Sequence, residues 1–145
     1  MESYLPDFAW SVVADQTSNS HRAVLPRCYS FGAFELDVLA HVLCRNGIER
    51  HLEPRGFDVL LYLLMNRDRV VSKNELLEEL WPTRHVTENV VARCVMKVRQ
   101  TLDDRGSRQP LIRTIHRIGY RFVASAVESN QPSVILSRSP MLVRN

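Results

Sequence analysis

Between residues 54 and 102 the apolar side chains recur three times at helical spacing, and each recurrence has its own start or stop signal. Phe57, Leu60, Leu61 and Leu64 fall at i, i+3, i+4 and i+7 behind Pro54, a residue favoured at the first helical position, so a helix is expected to about Asn66. Val70-Val71 reads as a short link. Ser72 with Glu75 has the spacing of a capping box, and Leu76, Leu77, Leu80 and Trp81 form a buried stripe that Pro82 ends. Thr87 is placed to cap a third helix, with Glu88 in its first turn complementing the dipole. Val91, Val95, Val98 and Leu102 make the inner face of that helix, with Cys94 beside them. Its outer face carries Asn89, Arg93, Met96, Lys97 and Gln100, and Arg99 lies at the boundary.

The flanks read as strands. Tyr29–Asp37 alternates aromatic with small or polar residues and is expected to form one strand. His41–Cys44 is a second, and the Asn46-Gly47 pair turns it into a third, Ile48–Leu52. After the helices, residues 111–115 and 120–123 read as strands joined by His116-Arg117-Ile118-Gly119. The order is β-β-β-α-α-α-β-β, an α+β domain over residues 28–124. Residues 1–27 show no period and are expected to be a flexible arm. Residues 125–145 are rich in Ser, Asn and Pro and read as a flexible tail, with one apolar patch at Val134-Ile135-Leu136.

Composition limits the classes. With 145 residues, 45% hydrophobic and 24% charged, the chain has the balance of one soluble globular domain. No apolar run approaches the roughly 20 residues that span a bilayer, and the start has no export signal. Three widely spaced cysteines, Cys28, Cys44 and Cys94, do not suggest a disulfide framework, so a reducing, cytoplasmic setting is expected. Too few residues precede the domain for a second one, and no membrane anchor is expected after it.

The net charge of +3 conceals an asymmetry. Residues 1–85 hold 9 Lys/Arg against 12 Asp/Glu, whereas residues 86–123 hold 8 against 3. One basic third suits a polyanion partner without making the chain basic overall. Two helices, a third with a basic outer face and a basic hairpin together describe a winged helix-turn-helix. A helix about 10–12 Å across fits the B-DNA major groove, about 12 Å wide. His116 and Arg117 on the hairpin are placed for the neighbouring minor groove or its phosphates.

Other chemistry has little support. His41, Cys44, His51 and Cys28 do not have metal-ligand spacing, since i and i+3 on a strand point to opposite faces; no metal or other cofactor is expected. No nucleophile–base arrangement, nucleotide loop or carboxylate pair is visible, so an enzyme is not expected. A redox role for Cys44 or Cys94 requires a depressed thiol pKa. Trp81, Tyr120 and Phe122 read as packing residues. Arg99 has two readings, a DNA-facing group or the partner of Asp103 at i+4.

The segments LEPRGFDVLLYLLMNRDRVVSKNELLEELWP, VTENVVARCVMKVRQTLDD and LIRTIHRIGYRF resemble the OmpR/PhoB-type winged-helix DNA-binding domain, in its stand-alone branch without a phosphoacceptor receiver. The resemblance covers about residues 29–123 and is most specific over Arg113–Phe122 and over Val91–Leu102. It implies a four-stranded N-terminal sheet, three helices and a C-terminal wing. It also implies sequence-specific duplex binding by a transcription regulator, with head-to-tail pairs on direct repeats. By position, Asn89, Arg93, Met96, Lys97 and Arg99 fall at groove- or phosphate-facing places. Thr114 falls at a wing residue touching phosphate, and His116 or Arg117 at the wing's minor-groove basic residue. Gln100 joins this set from the helix's outer face. Trp81–Val86 falls at a turn that in some members contacts RNA polymerase. Family members often carry Gly-x-Gly at the wing turn; here Arg117 replaces the first glycine, leaving Gly119 as the residue expected to take positive φ. The alternative function is a winged-helix interaction module that turns the same basic face to an acidic protein partner.

Overall fold

The computed structural model describes residues 26–132 except 84, 105 and 107. The elements run β1 (Cys28–Phe31), β2 (Phe34–Asp37), β3 (Val42–Arg45), β4 (Ile48–Arg50), α1 (Pro54–Met65), β5 (Val71–Ser72), α2 (Lys73–Leu80), α3 (Glu88–Thr101), β6 (Ile112–Ile115), β7 (Gly119–Phe122) and β8 (Val127–Ser129). They divide into two units, Leu52–Ser125 and the residues on either side of it.

The first unit is an antiparallel sheet in the order β4-β3-β2-β1-β8. The single strand expected over Tyr29–Asp37 is two strands, because Gly32 turns the chain at φ +57° and Phe31 pairs with Phe34 across the turn. Their rings stack with centroids 5.6 Å apart. The Asn46-Gly47 turn forms as expected, with both residues at positive φ (51° and 80°). The third expected strand ends at Arg50. Asp37 is fully buried; its Oδ1 accepts from Arg27 Nε at 2.7 Å and from the Ala40 amide at 2.9 Å. The stretch read as a tail from residue 125 supplies β8, which pairs with β1 through Cys28↔Ser129, Tyr29↔Glu128 and Ser30↔Val127. Most of the expected arm, and the Val134–Leu136 patch, lie outside the described residues.

The second unit is the helical one. Every residue of α1 from Gly56 to Leu64 is buried, which makes α1 its central helix. Ser72 caps α2 by accepting from the Glu75 amide at 3.0 Å. The reciprocal half of the capping box is replaced: the Glu75 carboxylate is bound by Arg69 at 2.6 and 2.9 Å and by the Tyr62 hydroxyl. Leu76, Leu80 and Trp81 are buried as expected, and Leu77 is half-buried. The link at residue 71 proves to be a strand, so the wing sheet has three strands in the order β5-β7-β6.

Candidate nucleic-acid interface

α3 begins after Thr87, whose side chain makes no capping bond; the Val90 amide instead donates to the Thr87 carbonyl at 3.0 Å in a tight first turn. Val91, Val95, Val98 and Leu102 are buried, as the spacing requires. That burial turns Asn89, Arg93, Met96, Lys97 and Gln100 outward, all five of them exposed. The helix closes at Leu102; Asp103 takes the left-handed conformation at φ 54° and the Asp104 amide donates back to Arg99 O at 2.8 Å. The buried Asp104 carboxylate then accepts from the amides of Leu111 (2.7 Å) and Ile112 (3.0 Å), fixing where the wing starts. Nothing in the spacing of the sequence marks Asp104 for this role.

Arg99 joins helix to wing. Its Nη2 donates to Ile112 O at 2.9 Å and to Thr114 Oγ1 at 2.7 Å, and its guanidinium lies 5.9 Å from the Tyr120 ring centroid. Both residues were expected at the DNA face; the structure has them engaged with each other, Thr114 accepting from Arg99. Strand alternation and the register Thr114↔Tyr120 and Arg113↔Arg121 put the Arg99 contacts on one face of the wing and the two arginines on the other. Ala92, Met96, Arg99, Ile112 and Thr114 line an open groove between α3 and β6.

His116, Arg117 and Ile118 form the exposed wing turn. The positive φ falls on Arg117 (65°), not on Gly119. Gly119 serves a different need: a Cβ there would stand 2.0 Å from Val71 O and 2.7 Å from Ser72 Cα, so β5 and β7 approach only because the side chain is absent. The Lys73 amide donates to Ile118 O at 3.3 Å, tying the wing turn to the start of α2.

Lys97 is not alone on its face: its Nζ lies 3.1 Å from Glu53 Oε1. Arg55 stacks over the buried Trp81, 5.4 Å from its ring centroid, so of the segment Trp81–Val86 the tryptophan belongs to the core. Burial, followed by the Glu53 charge, pushes the Cys94 thiol up to about 11, and burial first also raises Cys28 and Cys44. These shifts run opposite to those of a reactive thiol. Among the described residues no cluster of His, Cys, Asp or Glu has the geometry to hold a metal, and no helix is long and apolar enough to cross a membrane.

The family model "Transcriptional regulatory protein, C terminal" matches residues 47–122. The transcriptional activator CadC of Escherichia coli is 29% identical over 102 residues, 68% of this chain and 20% of that protein. The transcriptional regulatory protein KdpE of Mycobacterium tuberculosis is 32% identical over 93 residues, 63% of this chain and 41% of that protein. The chain thus spans well under half the length of these relatives. Among solved structures, the response regulator DrrB of Thermotoga maritima superposes with a TM-score of 0.64 at 27% identity, over 77% of this chain and 50% of that one. The DNA-binding domain of E. coli CadC gives 0.62 at 27% identity, over 73% and 99%. The Klebsiella pneumoniae RstA DNA-binding domain, solved with its RstA box, shares the fold with a TM-score of 0.60 at 22% identity, over 67% and 97%. With its three helices, antiparallel sheets and wing, the chain belongs to the OmpR/PhoB-type family of winged-helix DNA-binding domains of transcriptional regulators.

Proposed function

We propose that this chain is a transcription regulator that binds double-stranded DNA sequence-specifically, with α3 in the major groove and the β6–β7 wing at the adjacent minor groove or its phosphates. The observation that carries the reading is the Arg99 bridge. By bonding Ile112 and Thr114 it ties β6 of the wing to α3; Arg93 and Lys97 on α3 and His116 and Arg117 on the wing turn are all exposed, and we take them as one surface. A prearranged surface of this kind loses less freedom on binding than two independent elements would. Asn89, Arg93, Met96 and Gln100 are assigned to base edges, Met96 through apolar contact with thymine methyls. Lys97, His116 and Arg117 are assigned to phosphate and minor groove. Arg99 and Thr114 are bonded to each other, and their role in this reading is to fix the wing.

Two substitutions test the docking. Arg93→Ala is expected to cost about 1–3 kcal/mol on the cognate duplex and to relax preference at one base pair. Lys97→Ala is expected to weaken all sequences alike and to lower the slope of log affinity against log salt by about 1. Salt titrations on a selected and a scrambled duplex separate the two effects, and unchanged binding by both variants rejects the docking. Selection from a random duplex pool supplies the target sequence. Direct repeats about one helical turn apart would support head-to-tail pairs of the chain. Among the described residues of the Trp81–Val86 segment, Pro82, Thr83 and His85 are exposed and are assigned to the contact with RNA polymerase.

A further inference from the structure

Glu53 occupies the N-cap position of α1, immediately before Pro54. A short polar side chain there, Ser, Thr, Asp or Asn, accepts from one of the helix's first unpaired amides; Glu is a methylene longer and caps poorly. The Glu53 side chain makes no such bond. Its Oε1 instead lies 3.1 Å from Nζ of Lys97, on the outward face of α3. The two side chains are 59% and 60% exposed, so packing does not force the pair together. The carboxylate that α1 leaves unused thus stands against a cation of the very face assigned to the duplex. An acid in that place acts against DNA binding twice: it repels phosphate, and it occupies an ammonium that phosphate would otherwise take.

We propose that Glu53 is an intramolecular competitor for phosphate, which holds Lys97 back and lowers the affinity of the chain for any duplex, whatever its sequence. The inference rests on the duplex-binding reading above. A purely structural role predicts the reverse, since removing a contact that only joins α1 to α3 would loosen α3 and weaken binding.

The test compares the full chain with Glu53→Gln, Lys97→Ala and the double variant. Binding to a random-sequence duplex and elution from a heparin column are measured across a salt series. An exposed ion pair is worth about 0.2–1 kcal/mol, so Glu53→Gln is expected to tighten duplex binding by up to about fivefold at low salt. The gain is expected to fade as salt rises and to vanish in the Lys97→Ala background. Elution from heparin shifts to higher salt in the same pattern, and the melting temperature falls by no more than the lost pair is worth, about a few degrees, because no capping bond is lost with it. An equal gain in both backgrounds would mean a diffuse charge effect and overturns the proposal, as does unchanged or weaker binding by Glu53→Gln. A chain that is retained by heparin but binds no duplex rejects the DNA reading alone, and the Glu53–Lys97 coupling is then read on heparin.

Discussion

At the scale of single residues, the wing depends on one missing side chain and one strained one. The space at Gly119 is closed by backbone, the Val71 carbonyl and the Ser72 Cα, neither of which swings aside. Gly119→Ala is therefore expected to cost about 3 kcal/mol or more in a urea unfolding measurement, by separating β5 from β7. Arg117 has the opposite problem. Its φ of 65° is unfavourable for any residue with a Cβ. Arg117→Gly is expected to leave stability level or to raise it by about 0.5–1 kcal/mol, while weakening duplex binding. A loss of stability in that variant would show that the arginine side chain holds the turn. Sequence reasoning gave Gly119 the positive φ, because glycine is the residue that adopts it most cheaply. It had no means of seeing that residue 71, far away in the chain, lies against it.

At the scale of elements, the helices were legible because burial enforces their period: Phe57, Leu60, Leu61 and Leu64 on α1 and Val91, Val95 and Val98 on α3 are all buried. The Asn46-Gly47 turn was legible for a local reason, its two positive φ values. What escaped was how the ends of elements are held. Glu75 has capping-box spacing, yet its carboxylate answers to Arg69 and Tyr62 from the preceding helix and loop. The Arg69 guanidinium, more than the Tyr62 hydroxyl, holds the Glu75 carboxyl below its ordinary value of 4.5. A carboxyl depressed in the folded state adds stability above its unfolded pKa, and that stability is lost as pH falls through the folded one. Urea midpoints are thus expected to drop as the solution is acidified below about pH 4.5, and part of that drop should be missing in Arg69→Ala. An identical acid profile in the two proteins would assign the loss to other carboxylates.

At the scale of the whole molecule, the boundary drawn at residue 124 separates β8 from the sheet it completes. Three cross-strand pairs join β8 to β1, and each such pair contributes roughly 0.2–1 kcal/mol. A chain ended after Ala124 is expected to unfold about 1–2 kcal/mol more easily than one ended after Pro132, while α3 and the wing keep their assigned contacts with duplex DNA. Equal stability of the two chains would show that β8 adds nothing to the sheet and that the domain ends at residue 124. Val127–Ser129 was hidden because three residues among Ser, Asn and Pro carry no alternation to detect, and a strand this short exists only where an edge such as β1 already waits for it.

The sequence by itself determined the three helices, the basic third of the chain and the family pattern across α3 and the wing. Each of these is a local matter, written in apolar spacing, in charge and in turn chemistry. Only the tertiary structure decided that Arg99 holds the wing, that Asp104 fixes its start, that Gly119 makes room for β5, and that Glu53 meets Lys97. These are encounters between residues of different elements. Their partners are chosen by packing in three dimensions, which leaves no period along the chain.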